Sequence, residues 1–166
     1  MNFDGMARFL AHLTFREGLW LFPLAFTLHV LEEVPRFTSW AQRYASERFT
    51  WQDYIAIHRL GGVVALLSPA VIWFFPTKAV VFMFFAFVFT PAVFFNTLFH
   101  VGATAISGVY CPGLLTALTL YVPLFYYLSR LAFREALLND NTAIVALVIA
   151  GVFHAAEVGH NVFKRW

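Results

Sequence analysis

Charge is scarce in this chain. Of its 166 residues, 12% are Asp, Glu, Lys or Arg, about half the share usual in soluble domains. A soluble protein of this size could not cover its surface with so few charges. Cysteine occurs once, at Cys111, which excludes an internal disulfide and a disulfide-stapled secreted module. The formal net charge is only +2 and the basic residues are scattered, so no nucleic-acid partner is expected. Internal repeats and low-complexity tracts are absent. The N-terminal stretch has Asp4, His12 and Glu17 among its apolar residues. It lacks a continuous hydrophobic run and a small-residue cleavage site, so it is not read as a signal peptide.

Apolar residues fill the space that charge leaves. They make up 61% of the chain, 21 of them Phe, and mean hydropathy is +0.73. This composition fits an all-α integral membrane protein, one transmembrane domain over 1–166, and excludes a disordered tail. Runs of about 20 apolar residues are the unit of a helical crossing. Five are expected, at roughly 18–35, 54–75, 78–102, 109–130 and 141–162. An interfacial helix is expected over 3–16, with Phe3, Met6, Phe9, Leu10 and Leu13 on one face. Residues 36–53 form the one sizeable polar stretch. They read as a loop with a short helix at the headgroups, where Trp40, Tyr44, Trp51 and Tyr54 suit an aromatic belt. The continuous runs do not fit the ten-residue alternation of a β-barrel. The Phe-rich run 82–95 reads as lipid-facing packing. A bacterial cytoplasmic membrane is the expected location. Arginines and lysines barely distinguish the two faces, leaning towards the face that holds Arg36, Arg43 and Arg48 as the cytoplasmic one.

The polar residues inside the spans carry the chemistry. The first span contains L-H-V-L-E-E-V, with His29, Glu32 and Glu33 at i, i+3 and i+4, offsets that share a helix face. The second opens with His58 and Arg59. The third carries Asn96 and His100. The fifth carries His154, Glu157 and His160, fanned over about a third of the circumference at about 100° per residue. With five alternating crossings, all four groups fall at one depth on the same side. Ionisable groups inside a membrane are costly and usually paired or functional. Three carboxylates face one obvious fixed cation, Arg59. Divalent ions would balance them and use neutral imidazoles as ligands. The candidate ligands are therefore His29, Glu32, Glu33, His58, His100, His154, Glu157 and His160. Asn96, Arg59 and Tyr110 are the expected supporting partners. Eight candidates exceed the needs of one zinc, so two divalent ions are expected, iron preferred to zinc. Glu157-x-x-His160 also has the spacing found in di-iron helix bundles. The segment Tyr110–Gly113 reads as a turn at the start of the fourth span or as a wall of the site.

L-H-V-L-E-E-V at 28–34 resembles the signature of the HXXEE family of small integral membrane proteins. The N-x-x-x-H pair Asn96/His100, the Tyr110–Gly113 region and the closing His- and Glu-bearing helix resemble what accompanies it. The resemblance implies a helical membrane protein with a metal site and supplies no reaction. From the residues, the favoured expectation is a di-iron oxidoreductase acting on a lipid or other apolar substrate. One alternative is a zinc hydrolase of a lipid amide or ester, with Glu32 or Glu33 as general base. The other is a non-catalytic metal-binding or transport protein. The H-x-x-x-H boxes of membrane desaturases are absent, and five short spans without broken-helix repeats argue against transport. The oligomeric state is not legible.

Overall fold

The structure, a computed structural model, describes residues 12–163. Among these the chain is helical without a strand. A first turn, α1 (Phe15–Gly18), leads into α2 (Leu21–Glu33). A short α3 (Phe37–Tyr44) occupies the polar stretch. Four long helices follow: α4 (Trp51–Phe74), α5 (Lys78–Ser107), α6 (Leu114–Arg134) and α7 (Asp140–Asn161). All four are long and apolar enough to cross a membrane, so the chain is a helical membrane protein. The helix expected over 3–16 falls largely outside the described residues.

Two boundaries differ from expectation for identifiable reasons. The first span is shorter than expected, because α2 has 13 residues. At 1.5 Å per residue it is about 20 Å long, less than the hydrocarbon core of about 30 Å. Pro23 is the cause. It sits in the first turn of α2, where a missing N–H costs nothing, but its ring excludes a helical carbonyl at Leu19. The chain therefore breaks between α1 and α2. The second long helix starts at Trp51, three residues before the expected 54. Thr50 and Asp53 form a capping box there, each side chain bonded to the other's backbone N–H.

α5 is the centre of the bundle and packs along α7, α6 and the residues around the site. Between two α-helical ends it is π-helical over Phe85–Phe95, around Pro91. Here the lipid-facing expectation for 82–95 is overturned. Phe84, Phe85 and Phe89 are buried and meet Phe15, Phe22 and Phe125 ring to ring. The wider π turn rotates successive aromatic side chains inward, where burial and edge-to-face contact favour them. α7 closes on α5 through small residues, Ala146 and Ala150, both buried. The polar ends of α2, α4, α5, α6 and α7 come together at one end of the bundle, as the contacts below show.

Candidate metal centre

His29 and Glu33 lie one turn apart on α2, four residues being the same-face spacing. Both are 2% exposed, and His100 of α5 is 0% exposed. Three ligand atoms, one each from His29, Glu33 and His100, lie within 4.8 Å of one another. Glu33 Oε1 is 3.6 Å from His29 Nε2 and 3.2 Å from His100 Nε2. Neither imidazole nitrogen has a hydrogen-bond partner. Two buried ring nitrogens therefore converge on one carboxylate oxygen at ion-pair distance, neither in the geometry of a good hydrogen bond.

The other ring nitrogens explain the orientation. His29 Nδ1 is 2.9 Å from Thr116 Oγ1. Thr116 Oγ1 donates to Glu32 Oε2 at 2.5 Å, so it must accept from His29 Nδ1–H. His29 Nε2 is then left with its lone pair. His100 Nδ1 lies 3.3 Å from Cys111 Sγ. Burial pushes the Cys111 thiol up, and the charge of Glu33 adds to the effect. Cys111 is thus a neutral neighbour of the imidazole and not a thiolate ligand.

Adjacent in sequence, Glu32 and Glu33 do different work. About 100° of helix rotation separates them, and Glu32 turns towards α6. It accepts from the backbone N–H groups of Gly113, Leu115 and Thr116 at 3.0, 3.2 and 2.7 Å. The Tyr110 hydroxyl also donates to it. Glu32 therefore caps the free N–H groups at the start of α6, where the helix dipole favours an anion. Through Thr116 it also fixes the tautomer of His29. With so many donors on it, Glu32 is not free to act as a base.

His58 serves the far oxygen of Glu33. Its Nδ1 is 2.8 Å from the Tyr54 carbonyl, which can only accept. Its Nε2 is 2.7 Å from Glu33 Oε2. A ring that donates from both nitrogens is positively charged, and His58 is in this way the counter-ion of Glu33. The Tyr54 hydroxyl lies 3.5 Å from the same oxygen. The charge on Glu33 and Glu32 is thus met by His58, backbone and hydroxyl groups. What asks for a ligand is the pair of bare imidazole nitrogens.

Gly113 holds the geometry open. Its φ is +100°, and a Cβ there would lie 2.5 Å from His100 Cε1 and 2.9 Å from His29 Cε1. Only glycine admits both the left-handed backbone and the two rings. Tyr121 of α6 packs its ring on His29, with centroids 4.5 Å apart. Thr116 and Tyr121 were not singled out from the sequence, and Tyr54, expected with Trp40 in an aromatic belt, is instead buried, as is Trp40. Only Thr116, a polar residue in an apolar run three positions after Gly113, offered a signal.

The remaining candidates stand apart from this centre. His154 Nδ1 is 3.8 Å from Glu157 Oε2 on α7, and both are partly buried. They share a cavity with His29, His58 and Asn96 but are not among the three atoms that converge. His160 and Arg59 are exposed. Asn96 lies on α5 one turn before His100 and faces the same cavity.

No curated protein and no solved structure matches the chain. Residues 20–128 match the family model described as "Protein of unknown function with HXXEE motif". That stretch ends before α7. The matched region holds the H-x-x-E-E segment and every residue converging at Glu33, and the chain belongs to the HXXEE family.

Proposed function

We propose that His29, Glu33 and His100 bind one divalent transition-metal ion, and that the chain is a membrane-embedded metal-dependent oxidoreductase acting on an apolar substrate. The observation that supports this most directly is the convergence of two buried Nε2 atoms on one carboxylate oxygen, with neither nitrogen well hydrogen-bonded. Buried polar atoms are rarely left unpaired, and neutral imidazole with carboxylate is a set that iron and zinc both accept. Two imidazoles and one carboxylate leave open positions, and a metal so held supplies Lewis acidity or, if iron, redox chemistry.

The chain's own residues do the rest. Glu32 and Thr116 keep His29 in the ligating tautomer, as partners behind a ligand commonly do. His58 holds a proton at Nε2 on the cavity wall, 2.7 Å from Glu33. The apolar helices exclude water and admit a greasy substrate. Glu33 Oε2 is held by His58 and Oε1 faces the proposed ion, while Glu32 is held by its donors, so a general-base role for Glu32 or Glu33 has no free carboxylate in this arrangement. The geometry favours one ion at the converging atoms over the two expected from the ligand count.

Cobalt(II) substitution tests the ligand set. Titration of the purified chain should give the visible absorption of an N/O-ligated ion, and His100→Ala should abolish it. An unchanged spectrum in that variant would remove the reading. For activity, lipid extracts of membranes bearing wild type and Glu33→Gln are compared by mass spectrometry. A species consumed by wild type alone is expected. Identical extracts from iron-loaded membranes would contradict an enzyme. Stoichiometric zinc in the native protein would move the reading to hydrolysis.

A further inference from the structure

A cavity of about 370 Å³ lies between α2, α4, α5 and α7. This is within the range of small-molecule sites. Its lining is graded along the helices. His58 lies at the start of α4, whereas Asn96, His154 and Asn161 lie late in α5 and α7, which run the opposite way. These put polar groups at the end nearest His29. Deeper in the bundle the same helices offer Val64, Phe22, Phe87 and Val88. Leu60, Phe87 and Phe153 line the cavity and are 68, 40 and 43% exposed. Its wall is therefore continuous with the lipid-facing side, on the flank between α4 and α7.

The polar end is incomplete. Asn96 Oδ1, the Tyr121 hydroxyl and both ring nitrogens of His154 are buried without a hydrogen-bond partner. All three residues line the cavity, and Tyr121 is 1% exposed. Buried groups of this kind are costly unless something pairs with them. An amide oxygen needs a donor, and a tyrosine hydroxyl can supply a donor to an acceptor. One ligand group that both donates and accepts answers both. No Lys or Arg lines the cavity, whereas Glu157 does. The one cationic side chain of the lining, His58, is already paired with Glu33, so a carboxylate or phosphate head would meet no free cation and the like charge of Glu157.

We propose that this cavity binds a long-chain alcohol, its hydroxyl against Asn96, Tyr121 and His154 and its chain leaving between α4 and α7 into lipid. This deepens the proposed function and rests on it for the claim that the alcohol is a substrate. The binding itself is separate from the metal.

The test uses the full chain in nanodiscs with a long-chain alcohol that carries a mid-chain diazirine. After illumination, adducts are mapped by peptide mass spectrometry and metal is measured on the same sample. Adducts should fall at residues 60–64 of α4 and around Phe87 and Phe153. Unlabelled alcohol should compete roughly tenfold better than a carboxylate of the same length, about the effect of one hydrogen bond gained. Asn96→Leu should lower labelling by a similar factor while metal content is retained. Adducts in the apolar groove of Leu24, Leu120 and Leu124 between α2 and α6 would overturn the proposal. So would equal or better competition by the carboxylate or by an alkylamine. Labelling in the cavity of a protein that holds no metal would leave the binding site standing and remove the metal reading instead.

Discussion

Around Glu33, α2, α4, α5 and α6 each supply a partner: His29, His58, His100 and, through Glu32, Thr116 and the Gly113 backbone. Every ring has one nitrogen fixed by a named neighbour. On α7 the same residue types stand far more loosely. His154 has no hydrogen-bond partner at either nitrogen, Glu157 is 3.8 Å away and partly exposed, and His160 is exposed. The two regions differ in organisation and not in composition. A ligand is made by the groups that hold its other atoms still, and three of the eight candidates have both convergence and that support. The family match, over residues 20–128, covers every residue of the first region and none of α7.

Glu33→Gln should have the largest effect on this contrast. It replaces the carboxylate on which two imidazoles converge by a neutral amide with a single oxygen, and it removes the counter-charge of His58. Metal affinity should fall by more than about 100-fold, beyond the range typical of supporting residues, as read by equilibrium dialysis. Retention of metal by this variant would place the ion elsewhere.

Gly113→Ala should come next, with Gly108→Ala as its partner. Both glycines have positive φ, but a Cβ at Gly108 meets nothing within 4 Å. Each variant should lose about 1 kcal/mol of stability from backbone strain, read by thermal melting in detergent. Only Gly113→Ala should also lose metal, because its methyl group displaces both rings. Equal metal content in the two would show that the rings yield.

Thr116→Val keeps the shape of the side chain and breaks the relay from Glu32 to His29. Metal affinity should drop by about 10–100-fold, the usual cost of losing a partner behind a ligating histidine. Glu157→Gln should have the smallest effect, within about twofold, as for a residue outside the coordinating set. A loss as large as that of Glu33→Gln would restore the two-ion arrangement expected from the sequence.

Much of this was legible before any coordinates. The apolar runs gave the helices, and L-H-V-L-E-E-V gave His29 and Glu33 a common face. Alternating spans brought His58 and His100 to their level. The division of labour between Glu32 and Glu33 was not legible. It depends on where α6 begins, and the five-residue shift of that start from 109 to Leu114 is what presents three free N–H groups to Glu32. Nor could spacing show that His154 lacks a fixed partner, since E-x-x-H reads the same whether or not a helix packs beside it. The burial of the Phe run 82–95 is not legible in the sequence because hydropathy does not distinguish a lipid face from a core. The π-helical geometry around Pro91 decides it.

The central claim is one metal ion per chain at His29, Glu33 and His100. The most direct measurement is elemental analysis of the chain purified without chelator and resupplied with iron or zinc, in parallel with Glu33→Gln. The account predicts about one equivalent in wild type and less than about a tenth in the variant. A wild type that stays metal-free after resupply, or equal metal in the two proteins, would contradict it.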